Sequence, residues 1–135
     1  MMQIRNLDHV VLRSSQPEVM VDFYCSVLGC SVERREDNFG LIQLRAGAAL
    51  IDIVDVNGSI GAAGGAAPGS EGRNLDHFCV RLEAFDADAL LGMLREAGIE
   101  ADDVHRRYGA EGFGPSVYIR DPDGNTVELK GPPEE

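Results

Sequence analysis

The chain has no tryptophan, a single lysine (Lys130) among 12 basic residues, and three cysteines in 135 residues. Each scarcity excludes something. Cys25, Cys30 and Cys79 are odd in number and lack CxxC spacing, so neither a disulfide framework nor a thiolate zinc site is indicated. They read as buried packing residues of a reduced, cytoplasmic protein. Cations are outnumbered by 23 acidic residues, for a net charge of −11. Such a surface repels phosphates, which argues against nucleic acid and anionic membranes as partners. No run approaches the ~18 apolar residues of a membrane span, and Met1 to Asn6 opens no apolar stretch of signal-peptide length. What is left is a small globular chain, one domain's worth of sequence and able to fold without staples.

The chain does contain a repeat. Asn6-Leu7-Asp8-His9-Val10-Val11-Leu12-Arg13 returns 68 residues later as Asn74-Leu75-Asp76-His77-Phe78-Cys79-Val80-Arg81. Each copy leads into a helix that ends at a glycine. Ser15-Gln16-Pro17-Glu18 reads as an N-cap followed by a first turn, with Val19, Phe23 and Val27 on one face and Gly29 as the cap. In the second copy Asp86 is the expected N-cap, Leu90, Leu91 and Leu94 form the apolar face, and Gly98 ends the helix. His9 to Gly29 is 20 residues and His77 to Gly98 is 21, so the registers agree.

Each half then closes with a strand pair. Leu41–Arg45 and Leu50–Val54 form one hairpin; Ser116–Arg120 and Thr126–Lys130, joined by Asp121-Pro122-Asp123-Gly124-Asn125, form the other. The second turn is one residue longer, which makes Asp52 and Glu128 equivalent. Ser31–Arg35 and Val104–Tyr108 are the remaining strands. Residues 58–72, with six glycines and four alanines in fifteen positions, read as a flexible linker. The spacing predicts an α+β fold: residues 1–135 as one domain, with module 1 at about 4–57, the linker, and module 2 at about 73–131, each module βαβββ.

Strand parity sorts the residues onto two faces. Val10, Leu12, Ile42, Leu44, Ile51 and Ile53 form the apolar set of the first half, and Phe78, Val80, Val117, Ile119, Val127 and Leu129 that of the second. The opposite face receives His9 and Asp52 from one module and His77 and Glu128 from the other. Imidazole and carboxylate donors suit a divalent first-row metal. A hydrogen-bonded strand histidine or a solvated edge carboxylate is the ordinary account of any one of these residues. Four at duplicated positions call for more, because random surface charge does not repeat with the module. Arg13, Arg45, Arg81 and Arg120 share that face and are candidates to hold an anionic substrate group, with solvent-facing strand ends as the plainer reading. Lys130 has the same standing. Tyr118 is a candidate to orient substrate, Phe23 and Tyr24 read as packing residues, and His105 as a surface residue. The glycine-bearing segment His105–Gly114 is a candidate lid.

Leu7-Asp8-His9-Val10-Val11-Leu12, Phe23-Tyr24-Cys25-Ser26-Val27-Leu28-Gly29 and Tyr118-Ile119-Arg120-Asp121-Pro122-Asp123-Gly124-Asn125-Thr126-Val127-Glu128-Leu129 resemble the vicinal-oxygen-chelate superfamily. Its members include glyoxalase I, extradiol dioxygenases, fosfomycin-resistance enzymes and bleomycin-binding proteins. The resemblance implies paired modules curled into a half-open barrel around one metal, with the helices outside. It implies His9, Asp52, His77 and Glu128 as ligands and nickel, zinc, cobalt, manganese or iron as the ion. Glu128 is the first choice for general base and Asp52 the second. Glyoxalase-like members carry Glu where this chain has the shorter Asp52, so a three-ligand site of His9, His77 and Glu128 is the alternative.

The first functional expectation is a glyoxalase-like lyase or isomerase acting on a small substrate with vicinal oxygens through a metal-stabilised oxyanion. An extradiol-type iron dioxygenase is the second. A thiol transferase of the antibiotic-resistance kind and a metal-free bleomycin-type binding protein follow. No residue pattern names glutathione or another thiol. The resemblance also implies a homodimer, with modules paired within or between chains.

Overall fold

The computed structural model describes residues 1–134, which fall into two compact units, Met1–Ser70 and the residues from Glu71 onward. The first contains β1 (His9–Ser14), α1 (Pro17–Ser26), β2 (Ser31–Glu36), β3 (Leu41–Ala46) and β4 (Ala49–Asp55). The second contains β5 (Phe78–Arg81), α2 (Ala87–Glu96), β6 (His105–Gly109), β7 (Gly112–Arg120) and β8 (Thr126–Lys130). Each unit holds one open four-stranded mixed sheet, ordered β1-β4-β3-β2 in one and β5-β8-β7-β6 in the other. The chain is therefore α+β with two βαβββ modules. In each, the helix carries the chain from the first strand to the far edge, as a parallel crossover requires. Three antiparallel strands then march back until the last lies parallel to the first. Among the described residues no helix is long and apolar enough to cross a membrane.

Alternation along these strands sets the core. Leu12, Ile42, Leu44, Ile51 and Ile53 are buried in the first unit, and Val117, Ile119, Val127 and Leu129 in the second. Helix α1 lies against β2, β3 and β4. Its buried stripe is Met20, Val21 and Tyr24, whereas Val19, assigned inward by its four-residue spacing, is half exposed. The helix ends at Ser26, so Val27 falls outside the last full turn and the stripe is centred on Tyr24. Phe23 packs edge-on against the Tyr24 ring, with centroids 5.3 Å apart. The N-cap is Gln16, one residue beyond the expected Ser15, and it is the Ser14 hydroxyl that accepts the Gln16 N–H at 3.0 Å. Asp86 caps α2 as expected, its carboxylate accepting the Ala89 N–H at 3.2 Å. Gly29 and Gly98 follow the helices at φ +75°, the left-handed turn in which a side chain is disfavoured.

Three further features differ from the sequence reading. His105–Gly114 lies in a paired hairpin, with Gly109 opposite Gly112 at the turn and His105 opposite Ser116, and Gly112 takes φ +113°, a conformation that side chains rarely adopt. Within residues 58–72 a short 3-10 turn, Gly61–Gly64, is ordered against β1 and β4. The cysteines are not fully buried: Cys25 and Cys30 are intermediate and Cys79 is exposed. Burial, and the neighbouring Cys25, push the Cys30 thiol up to about 11. Turn 121–125 is built around Asp121, whose Oδ1 accepts the N–H groups of Asp123 and Asn125 at 3.0 and 2.9 Å.

Two predictions follow from the core. Leu44→Ala should lower stability in urea unfolding by about 2–5 kcal/mol, whereas Val19→Ala should stay within about 0.5 kcal/mol; equal effects would contradict the α1 stripe. Alkylation of Cys30, followed by peptide mass spectrometry, should remain slow at mildly alkaline pH and climb as pH nears 11. A rate levelling off at about pH 8.5, where an unburied thiol titrates, would refute that.

Candidate functional site

In the first unit, β1 and β4 pair so that His9 lies opposite Leu50 and Val11 opposite Asp52. His9 and Asp52 are thus diagonal neighbours on one face. Asp52 is only 4% exposed. Its Oδ2 accepts the Gln43 side-chain amide at 3.1 Å, while Oδ1 is buried with no partner among the described residues. A carboxylate oxygen withdrawn from water without a donor is costly, and a cation or an incoming donor relieves that cost. His9 Nδ1 lies 2.8 Å from Asp8 Oδ2. That hydrogen bond raises the imidazole pKa above its ordinary value; slight burial opposes the shift, and the charges of Asp52 and Asp8 add to it.

The second unit repeats the arrangement. Cys79 lies opposite Glu128, and His77 immediately precedes β5. His77 Nε2 is 3.2 Å from Glu128 Oε1, and His77 Nδ1 is 2.7 Å from Asp76 Oδ2. Glu128 is 6% exposed. Tyr118, opposite Glu128 on β7, meets the His77 ring edge-on with centroids 5.2 Å apart. On Tyr118's other side the Arg107 guanidinium lies 4.0 Å from the ring centre. A cavity of about 310 Å³ opens beside this group, lined by His77, Glu128, Arg81, Glu111, Tyr108 and Lys130 among others.

Asp8 and Asp76 were not singled out in the sequence, although the repeated Asn-Leu-Asp-His contains both. Each holds the Nδ1 side of its histidine and leaves Nε2 as the donor for a ligand, the arrangement that orients metal-binding imidazoles. The arginines are engaged within their own units. Arg13 donates to the carbonyls of Gly61, Gly65 and Ala66 at 2.9, 2.6 and 3.0 Å. Arg45 pairs with Glu33 at 3.0 Å, and Arg81 with Glu111 at 3.0 Å. Arg120 is exposed and reaches the Gly124 carbonyl at 3.5 Å. His105 is exposed on β6.

Among the described residues no three His, Cys, Asp or Glu side chains form a group that could hold a metal ion. Each unit by itself supplies one imidazole and one buried carboxylate. The donor chemistry fits a divalent ion, and the orphaned Asp52 Oδ1 fits it further.

A search of curated proteins finds no match to the sequence. Solved structures do match. A virulence protein of Salmonella typhimurium is 27% identical, with 96% of this chain and 98% of that chain covered and a TM-score of 0.72. Lactoylglutathione lyase from Agrobacterium tumefaciens is 20% identical, with 96% of each chain covered and a TM-score of 0.69. The genomically encoded fosfomycin resistance protein of Listeria monocytogenes is 17% identical, covering 96% of this chain and 95% of that one, with a TM-score of 0.68. The last two likenesses are of fold alone. The family model described as Glyoxalase/Bleomycin resistance protein/Dioxygenase superfamily matches residues 6–129. With two βαβββ modules and a family match spanning nearly its whole length, the chain belongs to the glyoxalase/bleomycin resistance protein/dioxygenase superfamily.

Proposed function

We propose that the protein is a divalent-metal-dependent enzyme of the glyoxalase type, an isomerase or lyase for a small substrate with oxygens on adjacent carbons. The observation that carries this reading is the duplicated pair, His9 with a buried Asp52 and His77 with a buried Glu128, each imidazole held by the preceding aspartate. His9, Asp52, His77 and Glu128 would hold the ion. When bound, it supplies Lewis-acid polarisation of the substrate's adjacent oxygens.

The chain's own groups do the proton work. Glu128 Oε1 takes a proton from the carbon next to the substrate carbonyl and returns it to the former carbonyl carbon, while the hydroxyl proton passes from one substrate oxygen to the other, so the isomerisation needs no oxidant and leaves Glu128 ionised again. His77, 3.2 Å from that oxygen, and Tyr118, packed against His77, keep the carboxylate in place and shield it from water. Asp52, tied to Gln43 through Oδ2, is the less mobile acid and the weaker candidate for base.

A ring-cleaving iron enzyme is the second reading, and the Gln43–Asp52 hydrogen bond favours it. With Asp52 so engaged, His9, His77 and Glu128 make a set of two histidines and one carboxylate. Iron binding and oxygen uptake with a catechol under reducing conditions separate the two.

Plasma spectrometry on protein purified with manganese, nickel or zinc should find stoichiometric metal in wild type and little in His77→Ala or Glu128→Gln. Undiminished metal in both variants sinks the proposal. Asp76→Asn should weaken metal affinity by about 10–100-fold, the usual effect of losing the group that orients a ligand.

Association follows the family as a homodimer in this reading, with modules paired either within or between chains. Mixing inactive His9→Ala and Glu128→Gln subunits restores part of the metal binding only where modules pair between chains. A mixture that binds no more metal than its separate components would mean that each chain builds its own site.

A further inference from the structure

The 310 Å³ cavity of the second unit contains a group that the proposed proton transfer leaves unused. Lys130 is the only lysine in the chain and is 7% exposed. Its stem leaves β8 and runs across the sheet over Gly114 of β7 and Gly109 of β6. A Cβ at Gly109 would stand 2.7 Å from Lys130 Cε, and one at Gly114 would stand 2.9 Å from Nζ. Two glycines on successive strands therefore clear the lysine's path.

The other charges around the cavity are matched. Arg81 Nε lies 3.0 Å from Glu111 Oε1, and Glu128 Oε1 lies 3.2 Å from His77 Nε2. Among the described residues the Lys130 ammonium has no carboxylate within 4.0 Å and no hydrogen-bond acceptor. The residue is nearly covered while its ammonium ends at the cavity, so an anion entering the cavity gains a charge-assisted contact in a site largely shielded from water. Glu128 and Lys130 share a face of β8 two residues apart, on the order of 7 Å along the strand.

We propose that Lys130 anchors a compact anionic group of the substrate, a carboxylate or a phosphate-type oxyanion. The substrate class then narrows to small oxygenated acids whose charged end rests on Lys130 and whose reacting carbons lie by Glu128. The reacting end rests on the metal-dependent reading above; the anion site does not.

A single lysine makes the test direct. Full-length protein carrying ¹³C,¹⁵N-lysine has one lysine side-chain signal, which is followed by NMR during titration with sodium phosphate or sodium acetate. Ionic strength is held constant with sodium chloride, and the titration is run on protein as purified and again after EDTA treatment. A saturable shift with phosphate or acetate is expected in both preparations, and the tighter of the two anions tells a phosphate-type oxyanion from a carboxylate. Lys130→Met should bind that anion about 10–100-fold more weakly, as expected for loss of a charge-assisted contact, and should lose the anion-dependent rise in melting temperature. A lysine signal that follows ionic strength alone, or equal anion affinity in Lys130→Met, overturns the proposal. Should that variant fail to fold, the wild-type titration decides alone. Metal content is measured on the same samples, so anion binding without metal binding overturns only the metal-dependent reading, and the reverse overturns only the role of Lys130.

Discussion

The parallel pairing of the first strand with the fourth, made once in each unit, is the contact on which the site depends. It sets Val11 opposite Asp52 and Cys79 opposite Glu128, and so brings each carboxylate beside its histidine. A slip of one residue would turn Asp52 and Glu128 into the core and Ile51, Ile53, Val127 and Leu129 outward. Burying an aliphatic side chain of this size contributes roughly 1.5–3 kcal/mol. Two such side chains are turned outward in each slipped unit, which outweighs the rearrangement of polar contacts, so the hydrophobic core fixes the register.

Charge plays two different parts in this acidic protein. Exposed pairs such as Glu18–Arg35 and Glu33–Arg45 lower the carboxyl pKa values through hydrogen bonds to arginine, yet solvent-screened pairs of this kind contribute little to stability. Asp52, Glu128 and Lys130 are buried, and there every unpaired charge is costly. These are the positions where binding a partner of opposite charge returns the most, which makes them the candidates for a site.

The two units carry similar pairs of histidine and carboxylate in different surroundings. Gln43 faces Asp52 where Tyr118 faces Glu128, so one carboxylate is held by an amide and the other stands beside an aromatic wall. Arg13 and Arg81 occupy the same place in the repeat. Arg13 fastens the backbone of residues 61–66 of its own unit, whereas Arg81 turns to Glu111 at the rim of the cavity. The second unit combines a cavity with a buried acid and a buried base, and carries the features of a substrate pocket.

Much of this was legible from residue order. The repeat of Asn-Leu-Asp-His, the two-residue alternation of the strands and the glycines after the helices determined the elements, both buried faces and the equivalence of Asp52 with Glu128. They did so because each is a local periodicity that the backbone must obey. The α1 stripe was misplaced by one residue, since Val19 and Met20 are equally apolar and only packing against the sheet selects between them. The same holds for the site: His77 beside Glu128, an imidazole clamped by Asp8 or Asp76, and Arg13 spent on a backbone loop depend on where side chains meet across strands. So does Lys130, whose importance comes from what is missing around it. Sequence determined which residues share a face; tertiary structure decided which of their charges are matched, because pairing is a property of distance in space and not of order along the chain.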